Sequence, residues 1–206
     1  LLVNFLVTLT KSDHFLKVEL VSVWNPTPTA NYLLTNSITL STDNELVRTD
    51  LKPAIFHDWL NGMRGGEKCL EAMLEVFPRA EVFTLIHEPE KVSDAINSKK
   101  IHVHPISKFP LFKKKYRTFI PLLPLIVGRW PKLKGFDFVI SSSHCVAKGF
   151  NSNGLKHICY CYSPMRYIWD MFDDYFLIEN VPWWKKTLMK ALRPHLQKWD
   201  INSSKK

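Results

Sequence analysis

The chain predicts an α/β fold: a Rossmann-like, doubly wound, mainly parallel sheet, preceded by an N-terminal extension of unassigned fold. Three observations predict it. From Pro53 onward, short apolar runs alternate with segments of helical periodicity, the pattern of successive βαβ units. Residues 136–141, F-D-F-V-I-S, form a nearly continuous apolar run of the kind buried in a parallel sheet. Residues 54–68, A-I-F-H-D-W-L-N-G-M-R-G-G-E-K, read as strand, glycine-rich turn and helix in immediate succession.

The elements follow in order. A short strand ends in the polar pair His57-Asp58, and Glu67 to Glu75 has amphipathic helical spacing. Phe77-Pro78 closes that helix, and residues 81–86 form a second strand. Residues 88–96 predict a short helix, with Pro89 suited to its first turn. Residues 101–104, 136–141 and 157–162 supply three more strands, and helical segments start at Arg166 and Pro182. Residues 1–52 differ in character: they lack glycine and hold β-prone runs at 5–9, 17–23 and 37–40. They are a small β appendage, the end of another domain, or a poorly ordered leader. The expected division is therefore 1–52 as extension and 53–206 as the α/β domain.

Composition narrows the function classes. A hydrophobic fraction of 46% with 23% charged residues belongs to a folded, soluble protein and argues against intrinsic disorder. The net charge of +9 is uneven: residues 1–52 hold four basic and five acidic side chains, and the rest hold 24 against 14. Such an excess favours an anionic partner: a nucleotide, a phosphorylated or lipid-linked substrate, an acidic membrane surface or nucleic acid. Cys69, Cys145, Cys159 and Cys161 form no C-x-x-C pair, so buried free thiols in a reducing cytosol are expected, not zinc. Residues 1–9 are apolar but lack a basic flank and a cleavage site, and are too short to span a bilayer. The expected location is cytoplasmic, with peripheral contact at the inner face of the membrane. The first residue is Leu, so a fragment of a longer chain is expected.

Ligands of doubly wound sheets sit beyond the carboxyl ends of the strands, so the loops after Phe56, Ile140 and Cys161 are the ones to watch. Gly65 and Gly66 allow close approach of a ligand to the backbone. The helix that follows offers unpaired N–H groups and a positive dipole end to an anion. His57 and Asp58 share the first loop, Ser141-Ser142-Ser143-His144 forms the second, and Tyr162 and Arg166 lie in the third. Each has an ordinary reading too: a plain βα turn, a serine cap, a buried histidine, a structural ion pair. Residues 108–130 place Lys113, Lys114, Lys115 and Arg117 before an apolar stretch broken by Pro121 and Pro124. That segment reads as a core helix with one solvated basic end, or as a contact for an anionic membrane surface; the core helix is the favoured reading.

Four runs in fixed order carry a family resemblance: H-D-W-L-x-G-M-R-G-G-E-K (57–68), V-F-T-L (82–85), F-D-F-V-I-S-S-S-H-C-V-A-K-G (136–149) and H-I-C-Y-C-x-x-P-M-R-Y-x-W-D (157–170). From Ala54 to the C-terminus the chain resembles the N-terminal domain of family 4 glycosyltransferases. The resemblance implies one half of a GT-B fold, in which two Rossmann-like halves face each other. It implies sugar transfer, with retention, from a nucleotide-sugar to a glycan or lipid-linked acceptor in polysaccharide or lipopolysaccharide synthesis. Neither an essential metal nor a cofactor is implied, the nucleotide-sugar being a co-substrate. Gly65 and Gly66 would meet the donor diphosphate, and His57, Asp58, His144, Tyr162 and Arg166 would position acceptor or phosphate.

Two departures from the family pattern matter. Tyr162 stands where the family commonly has His. The family's paired-glutamate motif, part of the domain that holds base and ribose, does not occur in these 206 residues. The chain is therefore expected to be inactive alone and to expose an apolar face that lowers its solubility. Two other classes compete. A dinucleotide-binding oxidoreductase is disfavoured by the absent G-x-G-x-x-G and by the lack of an acidic residue ending the second strand. A non-enzymatic basic domain would bind membrane or nucleic acid; with no stacking-platform motif and one short basic cluster, nucleic acid is not expected.

Overall fold

A computed structural model describes the backbone of residues 5–12, 15–24, 32–41, 51–130, 133–176 and 181–205, and the side chains of the last three ranges. The chain divides into two compact units, Leu1–Leu51 and Lys52–Lys206. In the first, β1 (Phe5–Ser12), β2 (Phe15–Trp24) and β3 (Tyr32–Ser41) form an antiparallel sheet in the order β1-β2-β3. Leu9 pairs with Val18, and Val18 with Ile38.

The second unit is a Rossmann-like α/β domain. Its strands are β4 (Ala54–His57), β5 (Glu81–Thr84), β6 (Ile101–Val103), β7 (Val139–Ser143) and β8 (His157–Cys161). All five are parallel, in the order β6-β5-β4-β7-β8. The chain runs outward from β4 to β6, then crosses back to β7 beside β4. The strand order thus reverses between β4 and β7, where His57 lies opposite Ser142. A cleft opens at such a switch point beyond the strand ends.

Strand alternation divides the core between the two faces of the sheet. Ile55, Val82 and Ile140 pack with Leu70 and Leu74 of helix α1 (Gly65–Val76) and Ile96 of α2 (Asp94–Asn97). Ala54, Phe56, Phe83 and Val139 face the other way, against Ala147 and Phe150. Phe56 stacks on Phe150 at 3.6 Å and on Phe83 at 4.8 Å between ring centroids. A further cluster joins α3 (Pro110–Lys115), a 3-10 stretch (Tyr116–Leu122) and α4 (Leu123–Gly128) to the long helix α6 (Trp183–Ser203). A short helix, α5 (Phe172–Phe176), precedes α6. At the opposite end of the sheet from the switch point, Glu81 sits among Lys52, Lys100 and His102. Burial works against its charge, but Lys52, His102 and Lys100 prevail and bring its pKa down to about 2.

Several boundaries differ from the sequence reading. β7 starts only at Val139, because Phe138 uses its carbonyl to accept the Ala54 amide and Asp137 accepts the Lys52 amide. Ser142 and Ser143, expected in a loop, are buried strand residues instead, continuing the strand past Ser141. The single helix expected over 88–96 is a 3-10 turn (Pro89–Lys91) followed by α2. Residues 108–130 are not one helix either: α3 gives way to the 3-10 stretch, which holds Pro121, and Pro124 opens α4. A proline has no amide hydrogen to donate and its ring crowds the preceding turn, so a continuous helix cannot pass through both positions. Phe112, Tyr116, Ile120, Leu123 and Val127 from this segment are buried, as a core segment requires. The cysteines are free, but Cys145 alone of the four is fully buried.

Candidate functional site

The site is built where β4, β7 and β8 end. Asp58, directly after β4, is 1% exposed and its carboxylate is fully engaged. Oδ2 accepts the amides of His144 and Cys145 at 2.7 and 2.9 Å, and Oδ1 those of Val146 and Ala147 at 2.6 and 2.7 Å. His144 Nδ1 adds a fifth contact at 3.1 Å. Four successive amides form an anion-binding concavity after β7, and the chain fills it with its own carboxylate. Burial alone would raise the Asp58 pKa; His144 and the amides outweigh burial and lower it. His144 is in turn pushed down by its burial, against the pull of Asp58, and its ring meets the Trp59 indole edge to face.

His57 begins a second, separate chain of contacts. Its Nδ1 lies 2.8 Å from Ser142 Oγ, Ser142 Oγ lies 2.8 Å from Tyr162 Oη, and Tyr162 donates to the Gly66 carbonyl at 3.1 Å. A carbonyl can only accept, so the proton directions are determined by elimination. Tyr162 gives its proton to Gly66, Ser142 gives its own to Tyr162, and His57 must donate from Nδ1–H to Ser142. Burial pushes the Tyr162 phenol well up, which keeps it a donor. His57 Nε2 then points toward Glu67 Oε1 at 3.7 Å, sealed from solvent and without a hydrogen-bond partner. Glu67 Oε2 accepts the Arg64 amide at 2.9 Å, half of a capping box at the start of α1. Burial opposes the Glu67 charge, but the His57 ring, when it is charged, and the Arg64 amide outweigh burial and lower the Glu67 pKa.

The glycines sit directly above this chain. A Cβ at Gly66 would lie 3.5 Å from His57 Cε1 and 3.6 Å from Tyr162 Cε2, at ordinary contact distance, so crowding does not dictate glycine here. Over Gly65 a Cβ would meet nothing within 4 Å, so the first turn of α1 opens onto free space. Beneath the site a cavity of about 10 Å³, lined by Phe56, His57, Asp58 and Ala147 among others, is room for one water at most.

A third group ties the site to α6. Lys148, only 1% exposed, pairs with Asp200 Oδ1 at 2.7 Å. Asp200 Oδ2 accepts the Trp169 indole N–H at 2.8 Å and the Met165 amide at 3.3 Å. Lys148 Nζ also lies 3.9 Å from Cys161 Sγ. Burial would lower the Lys148 pKa, but Cys161 and Asp200 together raise it. Cys159 first, and then Lys148, bring the Cys161 thiol down to about 7. Gly149 faces the Trp199 indole, where a Cβ would come within 2.8 Å of Cη2.

Of the residues singled out from sequence, His57, Gly66 and Tyr162 are joined in one network, and Asp58 and His144 in another. Arg166 is apart from both: it is exposed, 3.8 Å from Asp170, and donates to Met171 Sδ. Ser142 belongs to the serine run that the sequence marks, whereas Glu67, Lys148 and Asp200 do not stand out in it. Glu67, three positions after the N-cap, carries a capping-box signal. Lys148 interrupts an otherwise apolar run, C-V-A-K-G-F, and such a lysine needs a buried counter-charge. Among the described residues no grouping of His, Cys, Asp and Glu is suited to hold a metal ion. Comparison with protein-family models, curated proteins and solved structures finds no match.

Proposed function

We propose that residues 53–206 are the acceptor-side half of a nucleotide-sugar-dependent glycosyltransferase of family 4. The observation that carries this reading is the open first turn of α1 at the switch point, with Gly66 held from below by His57 and Tyr162. Backbone amides at a helix N-terminus stabilise a diphosphate leaving group without moving during the reaction. The concavity after β7, by contrast, is occupied by Asp58, which leaves the α1 terminus as the place for a ligand's charge. The four motifs support the family in their order along the chain; three of them fall on the elements that meet at this site, and V-F-T-L lies on the neighbouring strand β5. In this reading His57 and Tyr162 position the Gly-rich turn, and Asp58 with His144 shape the wall beside it. Base and ribose recognition belongs to a second domain of the parent enzyme. The acceptor is a glycan or a lipid-linked sugar.

Calorimetric titration of the 206-residue chain with UDP-, GDP- and ADP-sugars and with pyrophosphate tests this. The expected result is weak binding that follows the diphosphate, ignores the base, and disappears in Gly65→Trp. Tight, base-selective binding that survives Gly65→Trp, or tight binding of a nicotinamide dinucleotide, would overturn it.

A further inference from the structure

Charge and apolar exposure coincide on two segments outside the switch-point loops. Residues 95–136 contain ten lysines and arginines and no Asp or Glu, and residues 181–199 contain five and none. The two segments therefore carry 15 of the 28 basic side chains and none of the 19 acidic ones. Eight of the nine large apolar side chains exposed among the described residues lie in these same segments. Phe109 (64% exposed), Leu111, Leu122 and Leu125 project from α3 to α4, beside Lys113, Lys114 and Lys115. Trp183 (77% exposed) and Trp184 open α6, with Lys185 over the Trp184 ring at 5.3 Å. Both segments pack against one hydrophobic cluster through their buried faces: Phe112, Ile120 and Leu123 from one, Met189 and Leu196 from the other. Arg117 differs from the lysines beside it, its guanidinium lying 5.0 Å from the Tyr116 ring centre.

We infer that these two segments are a docking surface for an anionic phospholipid bilayer. A bilayer interface offers acyl chains to aliphatic side chains, a headgroup layer to Trp, and negative charge to Lys. Nucleic acid would leave Phe109, Leu111, Leu122 and Leu125 without a partner, since backbone recognition uses cations and bases use flat stacking platforms. The longest described helix, α6, is too polar to cross a membrane, so contact is with the surface. This inference stands independently of the glycosyl-transfer reading.

The test is co-sedimentation of the 206-residue chain with vesicles of phosphatidylcholine, alone or with roughly a third phosphatidylglycerol. Binding is expected only to the anionic vesicles and should fall as salt is added. Each cation near such a surface is worth about five-fold in partitioning, so Lys113→Gln/Lys114→Gln/Lys115→Gln should weaken binding about 100-fold. Acyl chains brominated near the headgroup should quench tryptophan emission in the parent and far less in Trp183→Ser/Trp184→Ser. These positions are exposed, and circular dichroism of both variants checks that the fold is retained. No binding to anionic vesicles, equal binding to neutral ones, or indifference to both variants would overturn the inference. So would duplex DNA binding at a salt concentration where vesicles are ignored, or a dimer that Trp183→Ser/Trp184→Ser dissociates.

Discussion

Asp58→Asn is the substitution whose cost follows most directly from the geometry. The carboxylate accepts four buried amides, two on each oxygen. An asparagine of the same shape keeps one oxygen and turns an NH2 group toward the other pair. Two buried donors then face a donor, at about 1–3 kcal/mol each, so a loss of about 2–6 kcal/mol is expected against a total of roughly 5–15 kcal/mol. Urea unfolding followed by tryptophan fluorescence at neutral pH measures it. The sign of the pH dependence supplies a second check. A carboxylate lowered in the folded state stabilises above its unfolded pKa of 3.8, and that contribution is lost as pH falls through the folded value. The gap between parent and variant should therefore shrink as the medium is taken from about pH 5 toward about pH 2. A gap below about 1 kcal/mol at neutral pH, or one that does not change with acid, would show that the carboxylate does not hold this loop.

Other predictions address the remaining networks. Lys148→Met strands Asp200 without its cation and should cost about 3–5 kcal/mol, with Lys148→Met/Asp200→Asn recovering part of it in urea unfolding. The same variant should raise the Cys161 thiol above its value of about 7, read from thiolate absorbance against pH; an unchanged titration would remove Lys148 as a cause. Gly149→Ala must displace the Trp199 indole and should cost about 1–3 kcal/mol. A double-mutant cycle with Trp199→Leu should show strong coupling, and additive costs would count against the clash. Tyr162→Phe removes the proton donor to Gly66 and should cost about 1–3 kcal/mol. In nitrogen-15 spectra the His57 ring should carry its proton on Nδ1 in the parent and lose that restriction in Tyr162→Phe. An Nε2-protonated, Nδ1-bare His57 in the parent would refute the assigned chain of proton directions.

The parallel sheet was legible because its strands are short, apolar and separated by helical periodicity, and Ile55, Val82 and Ile140 are buried where that pattern puts them. Ser142 and Ser143 were not legible as strand residues because polarity is a loop signal; here the polar strand end is buried, and His57 and Tyr162 satisfy Ser142. Residues 108–130 kept their core role but not their single helix, since the two prolines act on backbone hydrogen bonding, not on burial. Asp58 and His144 were readable as residues of interest, but not the fact that one contacts the other across 86 positions. Lys148 and Asp200 lie 52 positions apart, and no local pattern joins them.

Asp200 makes α6 a lever. One carboxylate near the end of a helix of 21 residues grips an ammonium from the strand-β7 side, and an amide and an indole from the strand-β8 side. Arg193 and Gln197, two turns and one turn earlier, hold the carbonyls of Ile168 and Trp169. A rotation of the helix about its own axis therefore cannot stay local. It pulls on Lys148, four residues after His144, and on Met165, three after Tyr162, so torque at the far end of the chain arrives at both walls of the cleft together.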